Sequence, residues 1–341
     1  MPADKATDKP GKMGWGVDGW SWQQLISAEQ RTLDEIGELV PDRLIRGEPK
    51  PPNLDLLKAV VEEQKSDGIE DGFSMLHLVK AINGGQTFPW IQQYIGSCVA
   101  SGDMRTTAYR MIAEVFLLND TEELPGIDID GRDSIPFYAP YNYRAGRKIG
   151  GLNGGDGSYC SAHIKGKMQY GHLPCHTEGL SSDLFPEPRS ESAYRKWGNS
   201  NQLLDQYAPV GKKYPLVSSE FVKQASDMRD IMTTMYAPAN ICSNWGFAPA
   251  SQHPTWKLAD GSPVWIYRRS GSWAHNMSIV AIVKVGGDWF VIVENSWGMN
   301  AHRNGSWFAI TLELFDSWLN SAECATVGEI DMSDNPPVWP E

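Results

Sequence analysis

A cysteine at the start of a long helical pattern is the feature that most constrains this chain. Cys98 follows Gly96-Ser97, and apolar residues then recur every three to four positions up to residue 118. This spacing predicts one helix over residues 98–118 with a buried face. A helix N-terminus presents unpaired N–H groups and the positive end of the helix dipole, both of which favour an anion. The sequence therefore predicts that the Cys98 thiol is biased towards a reactive thiolate.

Three further signals supply groups that a thiolate nucleophile needs. Gln92 lies six residues before Cys98 and can place an amide donor near the sulfur. His275 and the run Asn295-Ser296-Trp297-Gly298 follow far downstream. The chain thus holds a nucleophile, a base, a residue to orient the base and an oxyanion donor, which together favour acyl transfer.

In this combination and order, the chain resembles the papain-like (C1-type) cysteine peptidases. That family has a Gln six residues before the Cys, a Gly-Ser-Cys helix start, a later His and an Asn-Ser-Trp-Gly run. The resemblance implies an α+β fold, in which a helical lobe with a central nucleophile helix faces an antiparallel β-rich lobe across a cleft. It points to a non-secreted, bacterial- or phage-like branch of the family.

The resemblance also implies a role for each matching residue. Cys98 would be the nucleophile, His275 the base and Asn295 the residue that orients the imidazole. Gln92 and the backbone N–H of Cys98 would form the oxyanion hole. Trp297 would shield the His–Asn hydrogen bond from water.

An Asn153-Gly154-Gly155 turn lies between the nucleophile and the base. In the family, this turn lines the unprimed side of the substrate cleft, so Gly154 and Gly155 are expected to bind the peptide backbone. Secreted members carry a disulfide at two positions that are Ile95 and Leu152 here. Two apolar residues packed at that place would suit a reducing compartment.

Composition and charge narrow the partners further. The net charge is −12 with no Lys/Arg block, so nucleic-acid binding is not expected. No apolar run is long enough for a membrane span, and the first ten residues have no hydrophobic segment of the kind a secretion signal needs. Five cysteines, an odd number, do not indicate a disulfide framework. We expect a cytoplasmic or virion-associated protein that acts on proteins or peptides without a cofactor.

A metal site is the competing interpretation of one segment. Cys160-x2-His163 and His172-x2-Cys175 have spacings typical of zinc ligands. A helix predicted over residues 158–170 would hold the two pairs roughly 18 Å apart. Metal binding by Cys160, His163, His172 and Cys175 would require that helix to break.

The chain divides into four predicted parts. Residues 1–72 form an N-terminal arm, for which a propeptide, a docking segment and a simple extension all remain open. Residues 73–217 form the helical lobe and include an irregular insertion from 177 to 217, whereas residues 218–324 form the β-rich lobe. Residues 325–341 form an acidic tail.

Two functions remain open on the sequence alone. The first is a cysteine endopeptidase, intracellular or encoded by a virus, that cleaves proteins through a Cys-His-Asn mechanism. The second is a structural component of a large assembly, such as a phage virion, built on a papain-like scaffold with or without protease activity. In that setting the N-terminal arm would bind other subunits.

Overall fold

Helices and one large sheet share the described part of the chain, which confirms the α+β class. The computed structural model describes residues 51–88, 95–118, 137–175, 191–258 and 261–330, together with residues 16, 17, 24, 27, 28, 30–32, 34, 35, 91, 93 and 177. Gln92 and the tail beyond residue 330 lie outside the described residues.

The helices pack partly against the large sheet and partly against one another. They are α1 (Leu54–Ser66), α2 (Met75–Ile82), α3 (Cys98–Ile112), α4 (Ala139–Ile149), α5 (Cys160–Tyr170), α6 (Glu191–Gly198), α7 (Asn201–Gly211), α8 (Ala225–Thr234) and α9 (Leu312–Leu319). The predicted helix over 98–118 is present as α3 followed by a π-helical stretch, Ala113–Leu118. None of the described helices is both long and apolar enough to cross a bilayer.

The strands form one largely antiparallel sheet and a separate short pair. The strands are β1 (Gly16–Val17), β2 (Asp71–Ser74), β3 (Gly157–Ser158), β4 (Ala239–Lys257), β5 (Pro263–Val285), β6 (Asp288–Glu294), β7 (Trp307–Thr311) and β8 (Glu323–Thr326). The sheet order is β6-β7-β5-β4-β8, and β2 pairs with β5 outside this path. Buried side chains from both β5 and β6 contribute to the largest apolar cluster, which explains the continuous apolar runs over residues 279–283 of β5 and 289–293 of β6.

The segment predicted as an irregular insertion, residues 177–217, contains two helices. α6 and α7 pack their aromatic faces against α4, and Trp197 lies 5.4 Å from Tyr138 between ring centroids. The prolines misled the prediction, because Pro209 lies inside α7. Burial of the aromatic face stabilises these helices despite the proline.

The predicted boundary at residue 72 falls inside a strand. β2 runs over Asp71–Ser74 and pairs with residues 281–284 of β5. α1 and α2 on either side of it pack into the same apolar cluster as the sheet. Residues 54–82 therefore belong structurally with the sheet, and the separate N-terminal arm is shorter than the sequence indicated.

The structure contains a disulfide that the odd cysteine count did not predict. Cys160 at the start of α5 is bonded to Cys242 in β4, across 82 residues of sequence. The amide nitrogen of Asn276 lies 3.2 Å and 3.1 Å from the two sulfurs. Ile95 and Leu152 are both buried, but they lie in separate apolar clusters and do not pack together.

A buried polar seam joins α3 to the sheet. The hydroxyl of Thr106 lies 2.9 Å from Asn240 Oδ1 in β4 and 3.0 Å from Ser278 Oγ in β5. The Ser278 hydroxyl also reaches the carbonyl oxygen of Gly102 at 3.0 Å. A Cβ at Gly102 would overlap Asn276 Oδ1, so glycine allows this close approach. Buried hydrogen bonds of this kind hold two elements in one relative position.

A second connection ties α3 to the end of β6. Tyr109 donates its hydroxyl to Glu294 Oε2 at 2.9 Å, and Arg105 Nε lies 3.3 Å from Oε1 of the same carboxylate. Glu294 directly precedes Asn295 in the chain. The helix that begins at Cys98 is therefore fixed to the strand that ends just before Asn295.

Candidate active site

Cys98 is the first residue of α3, as the sequence predicted, and its side chain is fully buried. It belongs to a small apolar cluster with Val99, Leu152 and Cys242, and Ala274 packs against this cluster. Because Ala274 precedes His275, this packing brings the start of α3 close to the strand that carries the candidate base.

His275 lies in β5 opposite Ser243 of β4, and it is fully buried. Its Nε2 is 2.7 Å from Oδ1 of Asn295. The indole of Trp297 stacks on the imidazole, with ring centroids 4.4 Å apart and an interplanar angle of 28°. The structure thus brings the predicted base, its orienting amide and the predicted shielding indole into one group.

The second ring nitrogen of His275 is left available. Nδ1 is buried and has no hydrogen-bond partner among the described residues. No hydrogen bond joins it to Cys98 in this structure, and hydrogen bonds between a nucleophile and its base are often long before substrate binds. Burial lowers the pKa of His275 to about 4, and the hydrogen bond to Asn295 partly opposes this effect. The neutral imidazole is the form that can accept a proton.

The predicted oxyanion donor Gln92 lies outside the described residues, but both of its neighbours are placed. Ile91 accepts a backbone hydrogen bond from Gly298 at 2.8 Å, and Gln93 donates one to Ser296 at 2.8 Å. The Ser296 hydroxyl also reaches Oε1 of Gln93. The segment approaching Cys98 is therefore held against the Asn-Ser-Trp-Gly run.

Gly154 and Gly155 both have positive φ angles, +82° and +64°, which glycine adopts without strain. The side-chain oxygen of Asn199 accepts a hydrogen bond from the Gly154 N–H at 2.9 Å, and the Arg147 guanidinium donates to the Gly154 carbonyl at 2.8 Å. A side chain at Gly154 would meet nothing within 4 Å, so its surface is open. Beside it, Gly155 lines a cavity of about 260 Å³. Its other walls come from Tyr143, Asp156, Tyr194, Arg195, Gly198 and Asn199.

Part of the N-terminal arm packs over this region. β1 pairs antiparallel with β3, so that Val17 lies opposite Gly157, two residues after Gly155. Ala28 is buried in the same apolar cluster as Cys98. Thr32, one helical turn further on, has its hydroxyl 3.4 Å from that of Tyr159. The described residues of the arm therefore lie against β3 and against the apolar cluster that contains the predicted nucleophile.

The four residues with zinc-like spacing do not gather into one site. Cys160 is in the disulfide, and His163 lies on α5, whereas His172 and Cys175 follow the end of that helix. Phe137 stacks on His172, with ring centroids 4.8 Å apart. Among the described residues, no group of three or more His, Cys, Asp or Glu side chains is arranged to hold a metal ion.

One site residue was missed by the sequence analysis. His302 Nε2 lies 3.0 Å from the amide nitrogen of Asn295, on the side opposite His275. It is seven residues after Asn295, in a Gly- and Asn-containing turn that gives no periodic signal. Only the fold shows that its ring turns back towards the Asn295 side chain.

The buried histidines should make the fold sensitive to acid. Burial lowers the pKa of His275 to about 4 and that of His163 and His172 to about 3. Since exposed histidine titrates near pH 6.5, the unfolded chain binds more protons below that pH. The contribution of these three neutral histidines to the free energy of unfolding is fully present above about pH 6.5. As the pH falls below that value, the free energy of unfolding decreases by up to about 1.4 kcal/mol per histidine per pH unit. Urea unfolding at about pH 7.5 and about pH 5 should show the fall.

A matched variant checks the cause of this acid sensitivity. Neither ring nitrogen of His163 has a hydrogen-bond partner among the described residues, so His163→Leu loses no hydrogen bond. In this variant the free energy of unfolding should still fall with pH, but the slope should correspond to about one proton fewer than in the unmodified chain. Equal unfolding free energies of the unmodified chain at both pH values would contradict the prediction.

Comparison with known proteins gives matches in structure alone. No family model matches the chain. No curated protein matches it in sequence. Xylellain, a cysteine protease from Xylella fastidiosa, is 15% identical, with a TM-score of 0.48 over 83% of this chain and 93% of that chain.

Two proforms are also similar. They are proCathepsin B S9 from Trypanosoma congolense (13% identity, TM-score 0.42, 79% of this chain and 80% of that one) and the proform of the ragweed pollen cysteine protease Amb a 11 (12% identity, TM-score 0.42, 91% and 90%). With identities this low and TM-scores below 0.5, these similarities support no conclusion about activity or substrate.

Proposed function

We propose that the chain is a papain-like cysteine peptidase that hydrolyses peptide bonds and that its N-terminal arm holds it in a latent state. The observation that carries this proposal is the environment of His275. Its Nε2 is hydrogen-bonded to Asn295, its face is covered by Trp297, and its buried Nδ1 is left without a partner among the described residues. His172 also has one bonded ring nitrogen, one that is unpartnered among the described residues, and a stacked aromatic ring. What distinguishes His275 is its place in the chain directly after Ala274, which packs against the apolar cluster of Cys98.

The reaction follows from these positions. The thiolate sulfur of Cys98 attacks the carbonyl carbon of a peptide bond while Nδ1 of His275 holds the proton taken from the thiol. As the C–N bond breaks, the imidazolium returns this proton to the leaving amine. Water then attacks the thioester, gives its proton to His275 and releases the second product with the free thiolate. Gln92 and the backbone N–H of Cys98 are the proposed donors to the oxyanion.

The arm supports the proposal of latency. Cys98 and His275 are both fully buried, and Ala28 of the arm lies in the Cys98 cluster. β1 adds a strand to β3 next to the Gly154-Gly155 turn, where an extended substrate would have to lie. The arm thus competes with substrate for the same surface. Its attachment to its own chain favours the propeptide interpretation over a segment that binds other subunits.

The test is thiol reactivity before and after the arm is removed by limited proteolysis of the full chain. We expect an epoxide inhibitor of cysteine peptidases to label Cys98 rapidly after processing and slowly before it. Processing should also start the hydrolysis of a labelled protein substrate such as casein. Cys175, a half-buried cysteine outside the disulfide, provides an internal reference in the mass spectra, and Cys98→Ala processed in the same way is the control.

The opposite outcome would favour the second function. If the processed chain is folded but Cys98 reacts no faster than Cys175, the Cys98–His275 pair does not generate a thiolate. The chain would then be interpreted as a structural protein on this scaffold, and its association with a large assembly would be the next measurement.

A further inference from the structure

Asn295 lies between two histidine rings, and its orientation can be determined. Oδ1 is 2.7 Å from Nε2 of His275, and Nδ2 is 3.0 Å from Nε2 of His302. The oxygen and nitrogen of an amide have nearly the same shape, so an independent contact must distinguish them. The backbone N–H of Ser296 provides this contact at 2.7 Å from Oδ1. Because a backbone N–H only donates, the atom that it meets is the oxygen.

This orientation fixes the protonation of both rings. The amide nitrogen of Asn295 can only donate, so Nε2 of His302 must accept and His302 carries its proton on Nδ1. Oδ1 can only accept, so His275 carries its proton on Nε2. Nδ1 of His275 is then left with the free electron pair that the proposed reaction requires.

The surroundings keep His302 in this neutral form. Tyr267 and Phe308 pack edge-on against its ring, with centroids 5.4 Å and 4.8 Å away, and the indole of Trp273 lies 6.3 Å away. Within the part of the chain that the structure describes, its titratable or charged neighbours are His275, Tyr267 and the adjacent Arg303, whose backbone N–H donates to the Tyr267 hydroxyl. Burial, followed by the charge of His275, lowers the pKa of His302 to about 3.

We propose that His302 is a positioning residue for the Cys98–His275 pair. It accepts the hydrogen bond from the Asn295 amide and so keeps the oxygen of that amide turned towards His275. Without this acceptor, the amide nitrogen is buried with no partner, and rotation of the amide would place a donor against Nε2 of His275. His275 would then carry its proton on Nδ1, where it could not take one from the thiol. This role rests on the proposed peptidase function.

Two variants of the full chain, each labelled after the arm has been removed by limited proteolysis, separate positioning from packing. His302→Phe keeps a flat ring but has no acceptor, whereas His302→Gln can place its amide oxygen near the position of Nε2. In His302→Phe we expect the rate of Cys98 labelling to fall about tenfold. His302→Gln should recover most of this loss. Thermal unfolding of both variants checks that neither effect reflects a damaged fold.

Histidine NMR provides a readout that does not depend on activity. Ring nitrogen spectra of the ¹⁵N-histidine-labelled chain should show His275 in the Nε2–H tautomer, and His302→Phe should convert part of it to the Nδ1–H tautomer. A His302→Phe variant that keeps the pure Nε2–H tautomer and the unmodified labelling rate would overturn the inference. If Cys98 of the processed, unmodified chain does not react, the peptidase proposal fails, whereas the tautomer spectra still decide the role of His302.

Discussion

Replacement of His275 by glutamine is expected to lower the rate of peptide hydrolysis by a factor of about 10³ or more. Glutamine keeps a polar group at the position but cannot carry a proton between the thiol and the leaving amine. The loss should appear in kcat, because the base acts in the bond-breaking steps rather than in substrate binding. Steady-state kinetics of the processed chain, with the unmodified chain measured in parallel, provide the test.

His253→Gln is the matched control for this substitution. His253 lies in β4 against Phe290 and Trp256, and its Nδ1 accepts the backbone N–H of Trp256 at 2.9 Å. Its replacement removes the same ring from the sheet without touching the cleft. The control should hydrolyse substrate at close to the unmodified rate. If the His275 variant keeps a comparable rate, the proposed mechanism is wrong.

The sequence could predict those parts of the site whose residues lie close together in the chain. A cysteine at a helix start and an Asn-Ser-Trp-Gly run are both short motifs that can be recognised without knowledge of tertiary contacts. The structure places Asn295 and Trp297 against His275, as expected from these motifs. Their catalytic roles stay predictions until the kinetics are measured.

The remaining parts depend on contacts between distant segments. The Cys160–Cys242 disulfide joins positions 82 residues apart, and counting cysteines cannot reveal which two of five will meet. His302 reaches Asn295 only because its turn folds back under the ring cluster around Tyr267 and Phe308. Glu294 likewise had no local signal, although Arg105 and Tyr109 use it to fix α3 to β6.

Helix boundaries show the same limit on a smaller scale. The sequence of residues 218–235 predicts a helix with Ser219 as its N-cap, but α8 begins only at Ala225, after Gln224. Ser219 instead donates its hydroxyl to the carbonyl of Thr326 at 2.7 Å. Here a tertiary hydrogen bond to β8 replaced the local cap, a competition that the sequence of the segment alone does not show.

Placing a charge on the buried face of the arm is expected to open the site. Ala28 and Thr32 are buried one turn apart on this face, and Ala28 shares its apolar cluster with Cys98. A buried, unpaired carboxylate at Ala28→Glu should destabilise the closed arrangement, and each 1.4 kcal/mol of destabilisation raises the open population about tenfold. Epoxide labelling of Cys98 in the full, unprocessed chain should therefore be at least about tenfold faster than in the unmodified chain.

Ser27→Glu provides the control for this last experiment. Ser27 is exposed and directly precedes Ala28, so the variant adds the same side chain and charge without entering the cluster. It should label at the unmodified rate. Both variants should keep the unfolding temperature of the sheet core, which includes none of the described residues before position 51. If Ala28→Glu labels no faster than Ser27→Glu, the arm does not control access to Cys98. The burial of the nucleophile would then have to be explained by the packing of residues 51–330 alone.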